Sequence, residues 1–304
     1  MNAIFTGRRR SGKTTLAFRM ALDDGGGIVV FDPKREFRDW PATISNVAQL
    51  DKAAKDGNIV IVYQPNGDTE EEFRPVAEWI ISQHDLAMSR GWDSKGFHFT
   101  LLCDEAHNLQ GPNWANPQLL QILSQNRPEI LNVFQTFQSP KDAYNRIKSR
   151  VSDWFIFSTN LPSDLEYLQK EIGVNESDTA RITTLGDHEY VHFHFDGGQP
   201  VAEFVTDSSS WYVDLNYTKE QEKEMSEREK DDKNKKAIEY PVQMESDRDI
   251  FDAYNLVNRR KKNDEKNKYH GRSTDRAGAA DNRDSGRNNK VATFGDQRKK
   301  ASGE

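Results

Sequence analysis

The chain has 304 residues, 35% of them hydrophobic and 30% charged, with 42 Lys and Arg against 49 Asp and Glu for a net charge of −7. One cysteine, Cys103, excludes an intramolecular disulfide framework and a Cys-rich zinc site and suits a reducing compartment. No apolar run approaches the roughly twenty residues that span a bilayer, and a start with only Met1–Thr6 ahead of an arginine run does not fit a signal peptide.

In chain order, short apolar runs alternate with amphipathic stretches, the pattern of a parallel sheet covered by helices. Strands are expected at Asn2–Thr6, Ile28–Phe31, Ile59–Tyr63, His98–Cys103, Leu131–Gln135 and Trp154–Ser158. Helices are expected at Lys13–Ala21, Glu72–Arg90 and Pro117–Ser124, with a shorter one starting at Asp142. Along Glu72–Arg90 the residues Phe73, Val76, Trp79, Ile80, Leu86 and Ala87 share one stripe, and Pro75 is tolerable in the first turn. After Leu161, "SDLEYLQKEIGV" reads as helical, and "HEYVHFHFDGGQPVAEFV" reads as two strands joined by a Gly-Gly turn that close the domain edge. His192 and His194 share a face of that hairpin, but no third metal ligand has an identifiable spacing, so a plain strand-surface role is expected.

From Thr218 onward 22 Lys and Arg face 19 Asp and Glu, while the residues before carry 20 against 30, so the acidic balance belongs to the body. An acidic body still permits a local basic groove against a nucleic-acid backbone. Within the tail, "KEQEKEMSEREKDDKNKK" reads as a solvated helix and "DRDIFDAYNLVNRRKK" as a short amphipathic one; beyond Lys262 the composition cannot bury enough surface to order itself. The expected division is a domain over 1–217 and a charged tail over 218–304.

Gly7-Arg8-Arg9-Arg10-Ser11-Gly12-Lys13-Thr14 matches G-x-x-x-x-G-K-[ST] between an apolar strand and a helix-compatible run, the context of a phosphate-binding loop. Glycines let the backbone wrap the phosphates of ATP, and N–H groups at the helix N-terminus face the negative charge. Lys13 reaches the β- and γ-phosphates, Thr14 supplies a ligand to Mg2+, and Thr15 is a reserve hydroxyl. The fold class that follows is α/β, a P-loop NTPase with a mainly parallel sheet, a C-terminal β-hairpin and the charged tail.

Hydrolysis needs a second carboxylate on the magnesium side and a group that orients water, usually at the end of a neighbouring strand. "HFTLLCDEAHN" supplies both: Asp104 for the magnesium shell and Glu105 to polarise the attacking water. Adjacent carboxylates favour an ATPase over a small-molecule kinase. The letters "DEAH" do not make a two-lobed helicase, because only about half a domain of ordered-looking sequence follows Asn160.

The loop at Gly7–Thr14, "VVFDPKREF" at the second strand, "LLCDEAH" and the later "VFQTFQSPKD" together resemble the FtsK–HerA superfamily of P-loop ATPases. Within it, the compact domain with almost nothing before its first strand is similar to the genome-packaging ATPases of membrane-containing icosahedral viruses. The likeness covers Met1 to about Asp207. It implies a γ-phosphate sensor at Gln138, in "FQSP" where the superfamily commonly has Thr-Gln-x-Pro, with Gln135 the alternative in a slipped register. It also implies a ring, usually a hexamer, in which an arginine reaches the neighbour's nucleotide; Arg127 is the first candidate, with Arg146 and Arg150 as rivals. Asp32, in an Asp-Pro pair after the second strand, is expected on the nucleotide edge, and Lys34, Arg35 and Arg38 either touch DNA phosphate or form a solvated loop. The arginines Arg8, Arg9 and Arg10 depart from the small residues usual in such a loop and are expected to contact nucleotide or a neighbouring subunit.

The function the likeness implies is ATP-driven translocation of double-stranded DNA, packaging a viral genome into a preformed capsid. Capsid or portal-vertex proteins are the implied partners, and the host cytoplasm or a packaging vertex of the virion the implied location. The alternatives are a phage assembly ATPase of the zonula-occludens-toxin-like kind and a nucleotide-gated structural adaptor.

Overall fold

Short runs of β-branched and aromatic residues, too brief for helices, form the strands that carry everything else. The computed structural model describes residues 1–91, 98–207, 213 and 215–218, all within the first of the two units into which the chain divides, 1–244. Strand β1 (Asn2–Thr6) leads through the glycine-rich loop into helix α1 (Lys13–Asp24), and β2 (Gly27–Phe31), β3 (Thr43–Ile44), α2 (Leu50–Lys55) and β4 (Val60–Tyr63) follow. Helix α3 (Thr69–Ser89), β5 (Phe99–Cys103), the small β6 (Gln110–Gly111) and β7 (Trp114–Ala115) pair, α4 (Pro117–Gln125), β8 (Leu131–Phe137) and β9 (Asp153–Phe157) come next. Helices α5 (Pro162–Tyr167) and α6 (Glu176–Ile182) precede the hairpin β10 (Tyr190–Asp196) and β11 (Gln199–Val205).

Nine strands make one sheet in the order β11-β10-β9-β1-β8-β5-β2-β4-β3. The seven from β9 to β3 are parallel, and β10 and β11 add antiparallel pairing at one edge. Alternation along each strand sends Ile4, Val29, Leu101 and Val133 to one face and Ala3, Phe5, Ile28, Leu102 and Phe134 to the other. Helix α1 covers the second face with Leu16, Ala17, Phe18 and Ala21; α3 and α4 cover the first. Such two-sided burial explains why the parallel strands read as continuous apolar runs.

The expected strands and the three long helices are present with small shifts of boundary. β8 runs two residues beyond the expected end, so Gln138 follows it directly. Helix α3 starts three residues early because Asp68 accepts hydrogen bonds from the Glu70 and Glu71 N–H groups, an N-cap. Its buried stripe is Phe73, Val76, Ala77, Ile80, His84 and Ala87, and His84 replaces Leu86 because its Nε2 accepts from the Arg127 N–H at 3.3 Å. The helix expected from Asp142 is instead two short 3₁₀ turns, Pro140–Asp142 and Asn145–Arg150, separated by Ala143 and Tyr144 in extended conformation. β3, α2, the β6–β7 pair and α6 were not legible in advance. The Gly197-Gly198 turn has φ of 55° and 82°, as a two-residue hairpin requires.

Leu215 and Tyr217 return to the body: the Trp40 indole donates to the Leu215 carbonyl at 2.8 Å, and the Tyr217 N–H to that of Arg38 at 2.9 Å. Both helices expected in the tail lie outside the described residues. Among the described residues no helix is long and apolar enough to cross a membrane.

One buried carboxylate joins the ends of β8 and β9. Asp164, fully buried on α5, accepts from Ser139 Oγ at 2.7 Å and Thr159 Oγ1 at 3.2 Å, with Lys141 Nζ 3.7 Å away. Asp164→Ala leaves two buried hydroxyls without their acceptor and is expected to cost roughly 2–4 kcal/mol in urea unfolding, with Asp164→Asn milder. A loss within the error of the measurement for Asp164→Ala would contradict this account of the segment that carries Gln138.

Candidate active site

The carboxyl ends of the parallel strands collect the 7–14 loop, Asp104, Glu105 and Gln138 on one edge, the place where open α/β sheets bind ligands. Gly7 leaves β1 at φ 141°, and a Cβ there would lie 2.7 Å from Phe157 Cβ, so the loop can pass β9 only without a side chain. Gly12, at φ 102°, occupies the N-cap position of α1 with no side-chain cap, which leaves the first N–H groups of the helix aimed outward. Arg10 also has positive φ, 61°. Arg8 fastens the loop: its N–H donates to the Ser158 carbonyl at 3.2 Å and its guanidinium pairs with Asp187 at 2.6 Å on the surface. Arg9 and Arg10 are exposed. Ser11 is buried with its Oγ unpartnered, and its carbonyl accepts from the His188 N–H at 3.2 Å. Lys13 is buried, its Nζ donating to the Arg8 carbonyl at 2.8 Å, and burial pushes its ammonium below the ordinary range despite the nearby Glu105 and Asp104. Thr15 follows, half-buried, on α1.

Asp104 sits at the centre. Its Oδ1 accepts from Thr14 Oγ1 and from Thr136 Oγ1, each at 2.8 Å, while Oδ2 is buried without a partner. Burial, then the charge of Glu36, pushes this carboxyl up to about 7, against the two hydroxyls that favour ionisation. A buried oxygen lacking any donor, next to a hydroxyl that opens a helix N-terminus, is the donor chemistry of a magnesium ion that takes most of its ligands from water and phosphate. Among the described residues no group of three or more His, Cys, Asp or Glu forms a protein-only metal cage, and Mg2+ held with a nucleotide does not need one. Thr14 and Asp104 therefore fit the ion.

Glu105, the next residue, has the left-handed φ of 49°, a conformation that costs a non-glycine residue about 1 kcal/mol or more and is held here by its surroundings. The Thr136 hydroxyl that donates to Asp104 accepts from the Glu105 N–H at 2.8 Å, and Asn108 donates twice to the Glu105 carbonyl at 3.0 Å. Around the carboxylate stand Gln138, with Nε2 3.1 and 3.3 Å from its two oxygens, and Lys34, with Nζ bonded to Oε1. His107 Nδ1 lies 3.0 Å from Oε2. Burial opposes ionisation of Glu105, but His107, Lys34 and Gln138 outweigh it and pull the carboxyl down to about 2.

Two expected residues are occupied differently. The Asp32 carboxylate, fully buried, accepts from the Glu36 and Phe37 N–H groups at 3.0 Å each and from Gln64 Nε2 at 2.9 Å, so all of it is spent shaping the 33–37 loop. Gln135, also buried, accepts from Gln110 Nε2; of the two glutamines considered for the sensor, Gln138, just past β8, is the one brought to Glu105. Arg127 lies before the amino end of β8, on the edge opposite the loop and about 20 Å from it along a seven-residue strand. Arg150 lies beside the amino end of β1, where its carbonyl accepts from Asn2 Nδ2 at 3.1 Å; Arg146 is exposed on the turn before it. No one of these three arginines contacts the loop of its own chain. Thr136, Lys34 and His107 were not anticipated around the carboxylates; the one visible trace was a threonine inside the apolar run "LNVFQTF".

His192 and His194 stack with ring centroids 4.5 Å apart, and His192 Nε2 lies 2.8 Å from Asp153 Oδ1. The Cys103 thiol is buried and pushed far above its ordinary range by burial.

The sheet order, the loop after β1 and the carboxyl edge are those of the P-loop NTPase fold. No protein-family model and no curated protein matches the chain. Solved structures match by fold: B204, the DNA-packaging ATPase from Sulfolobus Turreted Icosahedral Virus, superposes with a TM-score of 0.50 at 17% identity over 66% of this chain and 95% of that one. VirB4 of Thermoanaerobacter pseudethanolicus matches at TM-score 0.46 and 12% identity over 69% of this chain and 90% of that one. The N-terminal domain of zonular occludens toxin from Neisseria meningitidis matches at 0.38 and 13% over 70% and 98%. At these identities what is shared with B204 is the fold.

The raised Asp104 carboxyl sets a pH dependence. Its contribution to stability is intact below the unfolded value near 4 and is lost as pH rises through about 7, because the folded state holds the neutral form better. Asp104→Asn keeps an acceptor for both threonines and is expected to stabilise the metal-free protein at pH 8 by roughly 2–4 kcal/mol, with the gap closing toward pH 4. Mg2+ should raise the melting temperature of the wild type at pH 8 and leave the variant unmoved; equal responses would contradict the assignment.

Proposed function

We propose that the protein is a Mg2+-dependent ATPase that translocates double-stranded DNA as a homo-oligomeric ring, packaging a viral genome into a preformed capsid. One observation carries the hydrolytic part: Asp104 is tied through one oxygen to Thr14 of the phosphate loop and to Thr136, with Glu105 and Gln138 beside it. In this reading ATP lies along the 7–14 loop with its phosphates on the N-terminus of α1, and Lys13 exchanges the Arg8 carbonyl for the β- and γ-phosphates. Bound Mg2+, held by Thr14 and Asp104, would screen the charge that develops on the phosphates. Glu105, ionised across the physiological range, accepts a hydrogen bond from the attacking water and aligns it, and Gln138 links that carboxylate to the γ-phosphate side.

Arg127 is assigned to a neighbouring subunit's nucleotide, which its position on the edge opposite its own loop supports: only an arrangement that sets one subunit's amino edge against the next subunit's carboxyl edge gives it a phosphate. The DNA part is supported by the fold shared with a DNA-packaging ATPase and by the exposed basic residues Lys34, Arg35 and Arg38 on the β2 loop. The location that goes with it is the host cytoplasm or a packaging vertex, with capsid or portal proteins as partners and FtsK–HerA as the superfamily.

Hydrolysis by the purified protein, followed with and without duplex DNA, tests both parts. Lys13→Ala and Glu105→Gln are each expected to lower kcat by at least about 10²-fold. Duplex DNA should accelerate the wild type at low salt, an effect that fades as salt rises. Hydrolysis indifferent to DNA but lost in both variants would keep the site and move the partner to protein or membrane.

A further inference from the structure

Glu105 has two carboxylate oxygens and one water to align, so something must decide which oxygen meets it. The backbone does not. Its φ of 49° and the bonds to Thr136 and Asn108 fix where the side chain starts, but rotation about the last side-chain bond still exchanges Oε1 and Oε2. The partners decide, because they are unevenly shared. Each oxygen of an ionised carboxylate offers about two lone-pair directions. Oε2 has Gln138 Nε2 at 3.1 Å and His107 Nδ1 at 3.0 Å, one donor for each direction. Oε1 has Lys34, while Gln138 stands off at 3.3 Å. Oε1 keeps a direction to spare and Oε2 does not.

His107 is set up to hold Oε2. It lies in the 3₁₀ turn Ala106–Asn108 directly after Glu105, and that turn is closed by Asn108, whose N–H and side-chain amide both donate to the Glu105 carbonyl. A ring nitrogen 3.0 Å from an ionised carboxylate oxygen carries its hydrogen there, since lone pair against lone pair would repel. Nδ1 is therefore the donor. Burial opposes ionisation of Glu105, and among the groups that overcome it His107 comes first, ahead of Lys34 and Gln138. The imidazole also acts on Asp142, in the 3₁₀ turn just beyond Gln138: burial pushes that carboxyl up, and His107 is first among the groups that draw it back. One ring thus ties the carboxylate after β5 to the segment after β8.

We propose that His107 is a positioning residue whose Nδ1–H occupies Oε2 of Glu105, so that Oε1 is the oxygen that aligns the attacking water. The proposal rests on the hydrolytic part of the reading above and on nothing in its DNA part. Thr14 and Asp104 find their hydroxyl partners in each other and in Thr136, not in His107, so nucleotide and Mg2+ binding do not pass through the imidazole. Its loss should slow turnover and spare affinity.

The test is steady-state hydrolysis by the full chain, with affinity for a slowly hydrolysed ATP analogue and Mg2+ measured alongside, for the wild type, His107→Asn, His107→Gln and His107→Leu. Asn sets an amide N–H where Nδ1 stands, Gln sets one where Nε2 stands, and Leu has none. With its side chain 33% exposed, His107 can be replaced without opening the core. His107→Leu is expected to lower kcat about tenfold while analogue affinity stays within about twofold. His107→Asn should recover kcat to within about threefold of the wild type, and His107→Gln should remain with His107→Leu. Lost packing would not give that order, because Gln is nearer to His in size than Asn is. In a Glu105→Gln background His107→Leu should cost nothing further, as expected of a residue that acts through Glu105. Equal kcat in all four proteins, equal losses in His107→Asn and His107→Leu, or a fall in analogue affinity that matches the fall in kcat would each overturn the proposal. If Glu105→Gln alone hydrolyses ATP as fast as the wild type, the hydrolytic reading fails first and takes the proposal with it; a normal loss in Glu105→Gln beside an unchanged His107 series overturns the proposal alone.

Discussion

Asp104 Oδ1 receives two hydroxyl hydrogens, from Thr14 and from Thr136, and the rest of the active edge is arranged around that oxygen. The three residues stand on three elements: Thr14 in the first turn of α1, Asp104 just past β5 and Thr136 near the end of β8. Because β8 lies between β1 and β5, the two bonds join the 7–14 loop, β8 and β5 across the edge. Thr136 spends its donor on Asp104 and its acceptor on the Glu105 N–H, so the same hydroxyl fixes where the second carboxylate begins. A buried charge in an apolar sheet is tolerable only with such partners, and the partners are what align the site.

Two neighbouring carboxylates thereby acquire opposite characters. Asp104 is deep, short of donors and pushed up to about 7, a group that gains from a divalent cation. Glu105, turned outward by its left-handed backbone, is surrounded by donors and pulled down to about 2, a group that stays ionised. Environments that push paired acids apart suit them to different roles, and the proposed function gives Asp104 the ion and Glu105 the water.

Much of this was legible from residues alone where the signal was local. A Gly-x₄-Gly-Lys-Thr stretch after the apolar Ala3-Ile4-Phe5 implies both the loop and α1, and an apolar run ending in Asp-Glu implies the end of a buried parallel strand. The antiparallel hairpin announced itself by alternation around Gly197-Gly198. What escaped depended on long-range contact. Thr136 looks like any strand threonine until β8 and β5 pair in register, with Cys103 opposite Gln135. The fate of Asp32 was set by Gln64 and two N–H groups of its own loop, which no spacing rule reveals. His84 joined the buried face of α3 because a backbone N–H 43 positions away needed an acceptor. Two-residue strands such as β3 and β6 carry too few residues for any period to show.

The central claim is that the carboxyl edge binds nucleotide and magnesium together through Thr14 and Asp104. Equilibrium titration of the full chain with a fluorescent, slowly hydrolysed ATP analogue, with and without Mg2+, addresses it most directly. The account predicts that Mg2+ tightens binding to the wild type by about tenfold or more and does so far less for Asp104→Asn, which binds the metal-free analogue as well as the wild type does. An identical magnesium effect in both proteins would contradict it.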